Sequence, residues 1–78
     1  MKIQIISPEK ELYQGDILSV KLPGTDGEFE ILNNHAAIIS TLTKGEIKVK
    51  IDNENNEIFK INGGVIEMQN NNIIVLAN

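Results

Sequence analysis

Between Glu46 and Ile51 the sequence reads EIKVKI, apolar and charged residues in strict alternation. This period of two constrains the fold more than any other feature of the chain, because successive side chains of a strand point to opposite faces, whereas a helical face recurs every 3 to 4 residues. The alternation sets Ile47, Val49 and Ile51 on one face and Glu46, Lys48 and Lys50 on the other, the pattern of a half-buried strand. SVKL repeats the device, with Val20 and Leu22 inward and Ser19 and Lys21 outward. Isoleucine outnumbers leucine, and branching at Cβ favours strands over helices.

Turn signals punctuate the alternation at short, fairly even intervals: Ser7-Pro8, Gln14-Gly15, Pro23-Gly24, Asn33-Asn34, Lys44-Gly45, Asp52 to Asn56, Gly63-Gly64 and Asn70 to Asn72. The spacing predicts strands near 2–6, 11–14, 16–22, 28–32, 36–41, 45–51, 57–62, 64–68 and 72–76, hence an all-β sandwich or barrel. SPEKELY could start a helix, with Ser7 as N-cap and Pro8 in the first helical position, but Gly15 stops it within two turns. No linker, repeat or low-complexity tail divides residues 1–78, which read as a single domain. AAII (36–39) and IIVL (73–76) break the alternation by being apolar on both faces. A two-sheet sandwich covers only one face of each sheet, so these strands present either ordinary exposed aliphatics or a contact surface.

Composition removes several functions. At 78 residues, folding buries only about 60% of the surface of the unfolded chain, so stability is modest. There is no cysteine, which excludes disulfides and thiolate chemistry, and a single histidine leaves zinc without its usual ligands. The net charge is −4, and all seven positive charges are lysines. Nucleic-acid surfaces favour clustered Lys and Arg, so that partner is not expected. The N-terminus has neither the apolar length nor the cleavage site of a signal peptide, and no run is long enough to span a bilayer. These features point to a soluble, cytoplasmic protein.

The stretch LPGTDGEFEILNNHAA (22–37) holds the only histidine, two glycines and three acids. A nucleophile needs a base within hydrogen-bond reach, yet along a strand Ser40 lies five residues beyond His35, at roughly 3.3 Å per residue. Glu28 and Glu30 share one face of a strand at roughly 7 Å, a spacing common on solvated edges and weak as a catalytic carboxylate pair. The glycines lead into a strand rather than a helix, which rules out a phosphate loop and a dinucleotide fingerprint. Gly24 is expected to take positive φ in a Pro23-Gly24 turn, with Gly27 closing the loop. The stretch therefore reads as architecture plus surface, with no catalytic residue, cofactor or metal.

The order SPEKELYQGDI, VKLPGTDGEFEIL, HAAIISTLTKGEI, FKINGGVIEM and NNIIVLA resembles the epsilon subunit of the rotary F-type ATP synthase, equivalent to the mitochondrial delta subunit. The matching positions are Pro8, Glu9, Leu12, Leu22, Pro23, Gly24, Gly27, Glu28, Ile31, His35, Ala36, Lys44, Gly45, Gly63, Gly64, Glu67, Leu76 and Ala77. Three departures stand out: Glu30 replaces a glycine, Asn33-Asn34 replaces a Pro-Gly pair, and Ala37 replaces a proline. Asn34 tolerates the left-handed conformation of the glycine it replaces, so the turn can survive.

The resemblance implies a two-sheet β-sandwich of about ten short strands. It covers the family's sandwich and not its C-terminal helical hairpin, so inhibition of hydrolysis and ATP binding, which belong to the hairpin, are not expected. It implies a non-catalytic rotor subunit in the central stalk, peripheral on the cytoplasmic face of the inner (plasma) membrane. Such a subunit grips the gamma subunit, rests on the polar loops of the c-ring and couples ring rotation to ATP synthesis without inserting into the membrane. Carried over residue by residue, Gly27, Glu28 and Glu30 are the expected c-ring contact, where carboxylates can pair with an arginine of the ring loops. His35, Ala36, Ala37, Ile38, Ile39 and Leu42 are the expected gamma contact. The competing reading is a free-standing binding module for peptide or sugar, although one tyrosine and two phenylalanines offer little stacking surface.

Overall fold

A computed structural model describes residues 1–78. It contains nine strands and no helix: β1 (Lys2–Ile6), β2 (Glu11–Asp16), β3 (Ser19–Gly24), β4 (Gly27–Leu32), β5 (Ile38–Leu42), β6 (Gly45–Lys50), β7 (Asn56–Ile61), β8 (Gly64–Gln69) and β9 (Asn72–Ala77). Hydrogen bonding follows the order β2-β1-β9-β8-β5-β3-β6-β7, with β4 on the free side of β3. All pairs are antiparallel except β1 with β9.

Two layers face each other, β2-β1-β9-β8-β5 and β4-β3-β6-β7. Backbone joins them at one corner, where Gly24 pairs with Leu42, Thr25 N donates to Thr41 O at 3.1 Å and Thr43 N donates to Pro23 O at 2.8 Å. Elsewhere Ile17 and Leu18 carry the chain across: Ile17 N donates to Met1 O of the first layer and Leu18 N to Lys50 O of the second, both at 2.8 Å. The layers enclose one cluster of 15 buried apolar residues, most of them isoleucine or valine. Ile3, Ile5, Ile66, Met68, Ile73 and Val75 enter from one side, and Val20, Leu22, Ile31, Ile47 and Val49 from the other. The period of two thus becomes a dry interior, the principal source of stability in a domain this small.

Nine strands form, the number the spacing predicts, and the structure departs from expectation in the following places. Gln14-Gly15 does not turn: β2 runs through it to Asp16 because Gly15 pairs with Ile3, and the bend falls at Ile17 and Leu18 instead. Gly24 is an extended end of β3 paired with Gly27, and the positive φ belongs to Gly27, at 129°. What fixes glycine at 24 is space, since a Cβ there would lie 2.6 Å from the Gly27 carbonyl oxygen and 2.8 Å from the Phe29 ring. Ser19, expected outward, is only 8% exposed and lies between Leu32 on one side and Lys50 on the other. Ser7 caps no helix; its Oγ accepts from Lys10 N at 3.2 Å and closes the β1–β2 turn with the chemistry a helix cap would use.

Candidate functional site

The acidic stretch lies on β4, which pairs with β3 alone and is therefore an edge. Phe29 and Ile31 turn inward, while Gly27, Glu28 and Glu30 are exposed. Glu30 stands opposite Lys21, and Lys21 opposite Lys48, so one acid and two lysines form a row across the outer face. Glu28 Oε2 reaches Lys48 Nζ at 3.7 Å, with both side chains about half exposed (53% and 47%). An exposed pair of this kind is worth under about 1 kcal/mol, so Glu28 can exchange Lys48 for another cation at small cost.

The connection from β4 to β5 carries His35, Ala36 and Ala37, all exposed. His35 N donates to Leu32 O at 3.1 Å, and Asn34 takes φ 64°, the positive value a type II turn needs at its third residue. The His35 ring bonds through Nδ1 to Ala36 O at 2.8 Å, which places the hydrogen on Nδ1 and leaves Nε2 as an acceptor in the neutral ring. Ser40 Oγ donates to Thr41 O at 3.3 Å, so histidine and serine are each engaged with backbone and not with one another. A strand from residue 36 was expected, but the β5 ladder begins at Ile38, opposite Met68. Ile38 is half-buried and Ile39 is 73% exposed. Leu42 is 6% exposed and belongs to the core, so its side chain offers nothing to a partner surface.

Beyond Ile39 the register assembles an apolar face that the sequence showed only in pieces. Glu67 of β8 lies between Ile39 and Ile74, and Val65 between Thr41 and Leu76. Ile39, Val65, Ile74 and Leu76 are 73, 42, 41 and 56% exposed. The signal for Val65 is its place two residues before Glu67 in GVIEM, which puts it on the outer face. No group of three or more His, Cys, Asp or Glu side chains converges as a metal site.

A family model described as "ATP synthase, Delta/Epsilon chain, beta-sandwich domain" matches residues 1–78. The chain belongs to this family. Among curated relatives named ATP synthase epsilon chain, that of Chlorobium limicola is 33% identical over 76 residues, covering 97% of this chain and 86% of the relative. That of Campylobacter curvus is 36% identical over 77 residues, covering 99% of this chain and 60% of the relative. The chain thus spans about 60% of the length of most of these relatives. As a delta/epsilon sandwich it also superposes on chains from solved assemblies. One is a cryo-EM structure of the Euglena gracilis mitochondrial ATP synthase (OSCP/F1/c-ring), with TM-score 0.89, 14% identity, and coverage of 96% of this chain and 48% of that one. Another is the central stalk/c-ring of the Tetrahymena thermophila mitochondrial ATP synthase, with TM-score 0.83, 18% identity, and coverage of 99% and 62%. At these identities the likeness is one of fold. No helix of this delta/epsilon chain is long and apolar enough to cross a membrane.

Proposed function

We propose that this delta/epsilon sandwich is a non-catalytic element of the central stalk of an F-type ATP synthase, docking gamma to the c-ring so that the three turn together. The observation that carries the reading is Ile39, 73% exposed at the end of the exposed His35–Ala37 connection. An isoleucine so placed in a chain of this family fits an aliphatic contact with gamma through His35, Ala36, Ala37, Ile38 and Ile39. Gly27, Glu28 and Glu30, on the β4 edge, supply the carboxylates for cationic groups on the c-ring loops. The chain would then sit on the cytoplasmic face of the membrane as a peripheral subunit. Its task is mechanical: coupling ion-driven rotation to ATP synthesis on other subunits.

The test is a pull-down of the 78-residue chain against purified gamma and purified c-ring at low and moderate salt. Ile39→Asp is expected to weaken gamma binding about tenfold or more, since burying an isoleucine is worth about 1.5–3 kcal/mol. Glu28→Lys is expected to weaken c-ring binding selectively and to flatten its salt dependence. Failure of the unsubstituted chain to bind either partner would sink the reading.

A further inference from the structure

We infer that Asn71, 32 residues beyond Ile39 in sequence and on a different hairpin, is the positioning residue of the proposed gamma-binding connection. This rests on the rotor reading above. Asn71 Oδ1 accepts from Asn34 N at 2.9 Å, while Asn71 Nδ2 donates to Asn33 Oδ1 at 2.8 Å. Both ends of one amide are therefore spent on the two residues that precede His35. Asn71 itself is well anchored: it is half-buried in the β8–β9 turn, and its carbonyl accepts from Lys2 N at 3.1 Å, which ties it to β1.

The connection has little else to hold it. From Asn33 to Ala37 every residue is exposed, and its own backbone contributes the His35 N to Leu32 O bond. Asn33 and Asn34 lack the fixed φ of proline, and the one local side-chain bond, from His35 Nδ1 to Ala36 O at 2.8 Å, lies beyond them, so the local sequence supplies little stiffness there. Asn71 supplies it from outside. A connection held in its bound shape loses less conformational freedom on capture, and that saving appears as affinity.

Asn71 also takes positive φ, 62°, so the informative substitution is Asn71→Gly, which removes the amide and leaves that backbone conformation free of strain. Hydrogen exchange of the Asn34 amide, followed by NMR on the full chain, is expected to quicken about fivefold, the factor that loss of one hydrogen bond gives. Gamma affinity is expected to fall by a similar factor. Asn71→Asp should restore both, because a carboxylate oxygen still accepts from Asn34 N and the Asn33 amide can turn over to donate to the other oxygen. Unaltered Asn34 exchange in Asn71→Gly would overturn the inference, and so would faster exchange with unchanged gamma affinity. A general loss of urea stability that Asn71→Asp does not rescue would reduce Asn71 to a structural residue and overturn it as well. If the unsubstituted chain does not bind gamma, the rotor reading fails and the positioning role falls with it. Binding by the unsubstituted chain that Asn71→Gly leaves untouched sinks only the inference.

Discussion

At the scale of single residues, the sharpest constraint is Gly64, the first residue of β8. Its φ is 155°, in a region that side chains rarely adopt, and a Cβ built there would strike the Leu76 carbonyl oxygen of β9 and sit 3.1 Å from Ala77 Cα. The obstruction is backbone on both counts, so no rotamer change relieves it. Gly64→Ala should therefore cost about 2–5 kcal/mol, combining left-handed strain with overpacking. A domain of this size has a total stability of only about 4–12 kcal/mol, so the loss is a large fraction of it. Urea unfolding followed by far-ultraviolet circular dichroism should show a much lower midpoint, or no folded baseline; an unchanged midpoint would mean that β8 and β9 are less closely apposed than described. Neighbouring Gly63, at φ 146°, shares the conformation but faces a roomier site, 3.3 Å from Leu42 O, and should be the milder of the two when replaced.

At the scale of elements, the β6–β7 hairpin is closed by backbone bonds from Ile51 N and Asp52 N to Asn55 O, at 2.9 and 3.3 Å, and by one side chain. Asp52 Oδ1 accepts from Glu54 N and Asn55 N, each at 2.8 Å, and the Asn55 amide donates to both carboxylate oxygens at 2.9 Å. These donors, the Asn55 side chain first and the Glu54 backbone next, hold the Asp52 carboxyl below its ordinary pKa of 3.8. A lowered folded pKa means that the unfolded chain takes up its proton first as acid is added. The stability Asp52 contributes is thus complete above about pH 4 and is lost as pH falls through the lower, folded value. Asp52→Asn should be less stable than the unsubstituted chain at pH 7, and the gap in urea midpoint should close towards pH 2–3; a gap that stays constant with pH would sink the account. This turn was legible in the sequence because DNEN concentrates its chemistry in four adjacent residues. The same holds for strands such as β6, whose alternation is local, and for Glu28 and Glu30, which share the exposed face of β4 as their spacing predicts. What the sequence did not reveal is what depends on distant pairing. Gln14-Gly15 looks like a turn until Ile3 pairs with Gly15, Leu42 looks like surface until Gly24 and Gly64 flank it, and Asn71 looks like one more turn asparagine until Asn33 and Asn34 come within reach.

At the scale of the whole molecule, the question is what holds the two ends of the strand path, β2 and β7, which no ladder joins. Tyr13 of β2 and Phe59 of β7 supply the link: their rings pack with centroids 5.7 Å apart at an interplanar angle of 48°, and both rest against the buried cluster. The side opposite the Gly24–Leu42 corner is therefore closed by side chains instead of backbone. Burial at this seam, assisted by the negative charges of Glu57 and Asp16, raises the Tyr13 hydroxyl above its ordinary pKa of 10.0. The folded chain then holds the tyrosine proton at alkaline pH after the unfolded chain has released it, so stability falls with pH wherever the unfolded state binds fewer protons. Tyr13 contributes fully below pH 10 and progressively less as pH climbs through the folded value. Tyr13→Phe keeps a ring against Phe59 and removes the titrating group. Urea midpoints measured from pH 7 to 12 should decline more steeply in the unsubstituted chain than in Tyr13→Phe, and the difference between the two curves should begin near pH 10. Parallel curves would mean that Tyr13 ionises in solvent, and that the seam between β2 and β7 stands open.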